Sequence, residues 1–192
     1  MISDALVFFQ EQLNSYMKLK TGGQKENVVQ FAQIQLPKEM VMQNNAITLL
    51  LINLEEERLF RAGAAYASNL PDGTQSRMQP NLCLNFHMLF VANFQDYPES
   101  LKLLSLVIKY FRSYRCFDQQ QSPSLGPEIK QLSTEMVNLS FMEQGELWRS
   151  LEMPCSPSAL YKVRMLVFKD TEIDNIEAGP ELSDLQILAS QQ

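Results

Sequence analysis

Two kinds of spacing between apolar residues divide the chain into predicted helices and strands. In the opening segment the apolar residues recur every three or four positions, as in an amphipathic helix: Ile2, Leu6, Phe9, Leu13 and Met17. Ser3 or Asp4 is expected to cap the start of this helix, and Gly22-Gly23 to end it. The pattern predicts a first helix of about four turns.

The clearest strand pattern begins at Leu82, where side chains alternate with a period of two. One face of this strand is wholly apolar and carries Leu82, Leu84, Phe86, Met88 and Phe90. The other face is mixed and carries Cys83, Asn85, His87, Leu89 and Val91. Upstream, residues 28–34 predict a short strand, and the nearly continuous apolar run at residues 47–54 predicts a buried one.

Two later helices are indicated by their capping residues. Asp96 is expected to cap a helix with Pro98 and Glu99 in its first turn, where Glu99 can reach back as in a capping box. This helix ends near Arg115, and its predicted inner stripe is Leu101, Leu104, Ile108 and Phe111. Ser140 is expected to cap a short helix together with Glu143, three residues later, as in a capping box. This helix carries Leu147, Trp148 and Leu151.

The order of elements favours an α+β domain. Strand-like alternation returns at residues 132–139 and 161–168, while residues 61–80 predict a long loop. Because the order is neither a strict alternation of helices and strands nor all-β, we expect a mostly antiparallel sheet with helices packed on one face. We assign residues 1–169 to this single domain. Residues 170–192 carry six acidic residues and no basic one, and predict a polar tail that is extended or partly disordered.

Composition narrows the class of protein. A chain of 192 residues, with 45% hydrophobic and 20% charged residues, is long and apolar enough for one core. The net charge of −6 argues against a nucleic-acid partner, because phosphate binding needs a basic surface. The start has no basic segment before an apolar run, and no apolar stretch approaches the roughly 20 residues that cross a bilayer. We therefore expect a cytoplasmic product without membrane insertion.

The residues that catalysis and metal binding usually need are scarce. The single histidine, His87, lies in the middle of a predicted strand, and Cys83 on the same face would be ~13 Å away. Glu55-Glu56-Glu57 is interpreted as a solvated strand end, and Gly22-Gly23 lacks the spacing of a phosphate-binding loop. The three cysteines are too widely spaced for a disulfide framework or paired metal ligands. We expect no enzyme activity, no cofactor and no metal, with a structural His87.

Three strings of sequence carry a resemblance to a known family. They are LINLEEER from Leu51, NFHMLFVANF from Asn85 and SALYKVRML from Ser158. Together they resemble the cap, or tail-terminator, proteins of extracellular contractile injection systems, which are phage-tail-like particles of the antifeeding-prophage and virulence-cassette type. The likeness runs from Ile2 to about Val167. Because these strings form strands and packing surfaces, they specify the fold, and the role follows from the family's shared task.

The resemblance implies a homohexameric ring that sits on the last tube layer and the last sheath layer and ends their growth. A stack of rings grows because each top face is the template for the next layer, so a ring with a different top face must end it. The implied partners are further copies of this chain and the tube and sheath proteins. The implied location is a particle that assembles in the cytoplasm and is released. Strand addition to the sheath is one mode of attachment.

The last predicted strand and the tail behind it are expected to form the contact with the sheath rather than part of the ring's own core. Lys162 and Arg164 alternate with apolar residues, so one side of the strand is accessible. The tail's single sign of charge suits a basic partner surface, and the loop at residues 61–80 is the next candidate. The residues assigned to this interface are Tyr161, Lys162, Val163, Arg164, Asp170, Glu172, Asp174, Glu177, Arg61 and Arg77.

Other functions remain open at this point. The same family resemblance allows an adaptor ring at the baseplate or at the membrane-facing end of the particle. A different class is a small non-catalytic binding module that holds a ligand with the loop at residues 61–80. An enzyme with an unfamiliar site is the least favoured of these, given the residue types described above.

Overall fold

The computed structural model describes residues 1–35, 39–57, 67–69, 75–77 and 82–167. Three helices and ten strands lie within these residues. In chain order they are α1 (Ile2–Lys20), β1 (Val29–Phe31), β2 (Gln33–Gln35), β3 (Glu39–Val41), β4 (Ala46–Glu56), β5 (Ala67–Asn69), β6 (Gln75–Arg77), β7 (Cys83–Asn93), α2 (Tyr97–Ser113), β8 (Cys116–Asp118), β9 (Ile129–Met136), α3 (Phe141–Ser150) and β10 (Ser158–Val167).

Six of these strands form one sheet in the order β1-β4-β7-β10-β9-β8. The edge strand β1 runs parallel to β4, and all the other neighbours in the sheet are antiparallel. The strands β2 and β3 form a separate ladder, as do β5 and β6. The predicted α+β class with a mostly antiparallel sheet is therefore confirmed.

The helices α1 and α2 cover one face of the sheet and build the main core with it. They gather a cluster of aromatic rings: Phe8, Phe9, Phe90, Tyr110, Phe111, Phe117 and Tyr161. The rings of Phe111 and Tyr161 have centroids 4.5 Å apart, within the range of favourable aromatic pairs. The predicted apolar face of β7 contributes Leu84, Phe86, Met88 and Phe90, all buried. The period of two read from the sequence is confirmed.

The third helix lies on the opposite face, which corrects the expectation that the helices pack on one face. Trp148 of α3 is buried against Leu50, Leu89, Val91 and Leu160. Along their strands these residues alternate with residues of the main core, so they point the other way. The strands are apolar on both faces at this end, and α3 is needed to cover the second face. Towards the other end of β7 the second face is polar.

The start of α1 differs from its prediction. The N-cap is Met1, so a cap at Ser3 or Asp4 is wrong. Asp4 instead lies in the first turn and pairs with the N-terminal amine, because the helix begins earlier than the capping pattern suggests. Gly22 and Gly23 follow the helix with positive φ values of 63° and 82°. This left-handed backbone favours glycine and confirms the predicted end of the helix.

The start of α2 is at Asp96 as predicted, but its inner face is different. Asp96 makes no side-chain cap, and Glu99 pairs with Lys25 instead of forming a capping box. Leu101, placed in the predicted inner stripe, is exposed. The buried side consists of Ser100, Leu103, Leu104, Val107, Tyr110 and Phe111. Four leucines between residues 101 and 106 allow more than one helical phase, and packing against β7 and β10 selects this one.

Two further predictions have clear outcomes. The capping box of α3 is confirmed: the Ser140 hydroxyl accepts from the Glu143 N–H at 3.4 Å, and the Glu143 carboxylate accepts from the Ser140 N–H at 2.8 Å. In the predicted loop at residues 61–80, β5 and β6 pair as strands, which corrects that prediction there. The rest of that range lies outside the described residues. The edge strand β8 was missed because three residues are too few to show a period.

Candidate assembly interface

The strand expected to meet the sheath, β10, lies in the interior of the sheet. It pairs with β7 on one side and with β9 on the other. Tyr161 and Val163 are buried in the main core, so the expectation that this strand stands apart from the core is wrong. A ten-residue strand with one apolar face gains more from burial between two neighbours than from an exposed position. Because both edges are occupied, β10 cannot accept an added strand.

The other predicted interface residues have different locations. Lys162 and Arg164 lie two residues apart on the face of β10 that points away from the main core. Arg77 lies in β6, opposite Ala67. The remaining assigned residues, Arg61, Asp170, Glu172, Asp174 and Glu177, lie outside the described residues. Contact with the sheath stays a prediction for all the assigned residues, of which Tyr161 and Val163 are buried within their own chain.

A group of polar side chains surrounds Arg164 on the second face of the sheet. The Arg164 Nε lies 2.9 Å from Oε2 of Glu57 and donates to the Cys83 Sγ at 3.4 Å. The Cys83 thiol and the Asn85 amide each donate to the same Glu57 oxygen at 3.4 Å. Burial is the main cause that raises the pKa of the Cys83 thiol, so the S–H proton is retained. Glu57 is therefore paired and partly buried, which corrects its interpretation as part of a solvated strand end.

The lone histidine lies next to this group, near an irregularity in the sheet. His87 faces Asn53 on β4 and Lys162 on β10. The register of β4 shifts between Leu51 and Asn53. The Nδ1 atom of His87 is buried and has no hydrogen-bond partner in the described part of the chain. A structural role for His87 remains a prediction.

A cleft of about 750 Å³ opens beside α2 and β9. The strand β8 pairs with β9 only at Gln131–Ser133, so the edge of β9 beyond this segment is uncovered by β8. The Thr134 N–H bonds to the Arg115 carbonyl at 2.8 Å, where β8 begins. The lining contains four apolar residues, four basic residues and two acidic ones: Ile108, Phe111, Met136 and Tyr161, then Arg112, Arg115, Lys162 and Arg164, then Glu57 and Glu135. Glu57 is paired with Arg164, so the remaining charge of the lining is positive on balance. The cleft thus combines an apolar surface with positive charge.

Two of the three most exposed large apolar side chains among the described residues are the first two residues of α3. Phe141 is 96% exposed and Met142 is 75% exposed. Phe141 precedes Trp148 by seven residues, so a helical stripe read from the sequence would bury both. Trp148 is buried and Phe141 is not, which only the structure could show. An adjacent exposed pair of this size is a feature of contact surfaces.

Metal binding, membrane spanning and protein contact can each be compared with the described residues. No group of three or more His, Cys, Asp or Glu among them is placed to hold a metal ion. No helix in this part of the chain is both long and apolar enough to cross a membrane. The paired charges around Glu57, the cleft and the exposed apolar pair are the kinds of features that protein interfaces use.

Comparison with known proteins gives a family and several similar solved structures. The model of the Pvc16 N-terminal domain family matches residues 7–178. No curated protein sequence matches the chain. The tube-terminating cap of the anti-feeding prophage has a TM-score of 0.43 and 16% identity, over 65% of this chain and 44% of that one. The PVC sheath/tube terminator of an extracellular contractile injection system, in its extended state, has a TM-score of 0.48 and 16% identity, over 92% of this chain and 68% of that one.

The lengths of these proteins differ. This chain covers less than half of the anti-feeding prophage cap. The family match, in contrast, includes most of the strands and helices described above, together with all three strings that carry the resemblance seen in the sequence. That resemblance is confirmed. The chain belongs to the Pvc16 N-terminal domain family.

Proposed function

We propose that this chain is a structural, non-enzymatic cap that ends the inner tube and the contractile sheath of a phage-tail-like contractile injection particle. It acts as a homohexameric ring that assembles in the cytoplasm and leaves the cell with the particle. The observation that carries this proposal is the family match over residues 7–178. The role is the one for which the two similar structures are named, a tube-terminating cap and a sheath/tube terminator.

The geometry supports a function in binding other proteins rather than in catalysis. Two helices cover one sheet face, α3 covers the apolar part of the other, and charged side chains around Lys162 and Arg164 occupy the rest. A ring that matches the stack on one side and differs on the other ends polymerisation without a reaction. The accessible charges of β10 are the part of the predicted interface that can still meet the sheath.

Attachment by strand addition needs a free sheet edge. The strand β1 pairs with β4 only at Ile47–Leu49, and no other described strand pairs with β4 on the side away from β7. Leu51 and Leu54, in the part of β4 that follows Leu49, are exposed. Since β10 is closed on both edges, this part of β4 and the uncovered end of β9 are the better acceptors for a sheath strand.

Deletion of the gene followed by electron microscopy of the particles tests the proposal. Loss of a cap should give tubes or sheaths of unregulated length, or none, and a plasmid copy should restore them. Gold labelling of a tagged chain should mark the end of the particle away from the baseplate. Label at the baseplate end would favour the adaptor ring instead. Particles of normal length and stability without the chain would exclude the cap.

A further inference from the structure

The exposed pair at the start of α3 is surrounded by negative charge. Phe141 and Met142 project into solvent and make few contacts with their own chain. Residues 141–152 contain three acidic residues and one basic residue, a net charge of −2. Of the acidic residues, Glu143 caps the helix, whereas Glu146 is exposed and makes no ion pair with another described residue. We call Phe141, Met142 and Glu146 the α3 knob.

The cleft beside α2 has the opposite character. Residues 97–115 contain four basic residues and one acidic residue, a net charge of +3. The acidic residue, Glu99, pairs with Lys25. None of the four basic residues makes an ion pair with another residue in the described part of the chain: Lys102, Lys109, Arg112 and Arg115. Arg112 and Arg115 line the cleft next to the apolar side chains of Ile108 and Phe111.

The α3 knob does not contact the cleft of its own chain. Phe141 is almost fully exposed, so it does not enter the cleft of its own copy. The helix α3 packs on the face of the sheet opposite to α2. A contact between the knob of one copy and the cleft of the next is therefore heterologous. Such contacts repeat from copy to copy and form a ring where the rotation between copies closes, as the proposed hexamer requires.

We propose that the α3 knob of one copy inserts into the cleft beside α2 of the next copy and forms the contact between neighbouring subunits. Phe141 and Met142 meet Ile108 and Met136, the apolar lining residues that are not buried, and Glu146 faces Arg112. Lys162, on the β10 side of the cleft, is left to the sheath contact. A cleft of about 750 Å³ is in the size range that buries a group of two side chains. Large apolar residues inserted in a pocket and ringed by complementary charge are the usual centre of a protein interface. This inference rests on the proposed ring and names the surfaces that build it.

Charge reversal tests the contact because the α3 knob carries negative charge and the cleft beside α2 carries positive charge. Glu146→Arg and Arg112→Glu are each expected to weaken self-association of the full chain, measured by sedimentation equilibrium, by about tenfold or more. A mixture of the two variants should associate again, because each knob then meets a cleft of opposite charge. The double variant in one chain should also associate. If Arg112→Glu lowers the melting temperature, Lys109→Glu on the same exposed side of α2 replaces it.

Removal of the apolar part tests the knob itself. Phe141→Ser should weaken self-association by about tenfold or more without loss of helical circular dichroism, since the side chain makes few contacts in the monomer. Leu19→Ser is the matched control, because Leu19 is 76% exposed on α1 and lies outside the proposed contact. The control should associate like the unchanged protein.

The outcomes separate this contact from the cap function. Self-association that survives Phe141→Ser, or single variants that weaken it while their mixture does not restore it, would overturn the contact and leave the cap proposal standing. A chain that stays monomeric at millimolar concentration would also overturn it. The two variants mixed together could restore self-association while deletion of the gene leaves the particles unchanged. That combination would support the contact and reject the cap function.

Discussion

Arg164 of β10 and Glu57, directly after β4, form an ion pair with 2.9 Å between Nε and Oε2, across the strand β7 that lies between them. The Cys83 thiol on β7 joins both partners. Three strands that are far apart in sequence are thus tied together on the polar part of the second sheet face. This pairing distinguishes Arg164, which has a structural partner, from its neighbour Lys162.

The difference between the two basic residues leads to opposite expectations. Lys162→Glu should change the free energy of unfolding by no more than about 0.5 kcal/mol, as for most surface changes, but weaken binding of the chain to sheath by about tenfold. Arg164→Glu should cost about 1 kcal/mol of stability because it places a like charge beside Glu57. Urea unfolding and co-sedimentation with sheath measure the two effects, with the exposed Lys20→Glu as the control. Unchanged sheath binding by Lys162→Glu would remove β10 from the interface.

The acidic tail gives a second prediction. A chain that ends at Lys169 should fold and form rings, but dissociate from the sheath more readily than the full chain. If charge guides the contact, the difference should be largest at low salt and should shrink as salt is raised, since salt screens the attraction of the tail's charges. Capping of particles by the shortened chain, with normal stability and length control, would show that the residues after Lys169 are dispensable.

Trp148 should dominate the stability of the second sheet face. Trp148→Ala is expected to lower the free energy of unfolding by about 3–5 kcal/mol, because it leaves a cavity between α3 and the sheet. The Trp148 Nε1 has no hydrogen-bond partner among the described residues, so Trp148→Phe sacrifices no hydrogen bond and should cost only about 1 kcal/mol. Urea unfolding compares the two variants. A loss for Trp148→Ala as small as that expected for Trp148→Phe would mean that packing of the large ring is not what holds α3.

Alkaline pH should destabilise the fold through its buried tyrosines. Burial raises the pKa of Tyr161 from 10 to about 12. Its contribution to stability is complete below pH 10, where the phenol is protonated in both states, and is lost between pH 10 and pH 12, as the unfolded chain ionises first. Tyr161→Phe should move the alkaline unfolding midpoint, followed by circular dichroism, to higher pH. Tyr97→Phe, a change at an exposed residue, should leave it where it is.

Local sequence determined which elements form and where several of them begin. The alternation in β7 predicted its buried face, Ser140 with Glu143 predicted the start of α3, and Gly22-Gly23 predicted the end of α1. These features depend on neighbours within a few residues, through backbone geometry, capping bonds and side-chain direction. Their order along the chain was enough to give the α+β class, and their sequence was enough to give the family.

The tertiary structure alone decided how these elements combine. It placed β10 between β7 and β9, which buried Tyr161, and it placed α3 on the second face, which left Phe141 exposed. It also brought Glu57 to Arg164. A strand's pattern shows which side chains point inward but not which strands will be its neighbours, because pairing depends on the burial that the whole sheet and its helices achieve together.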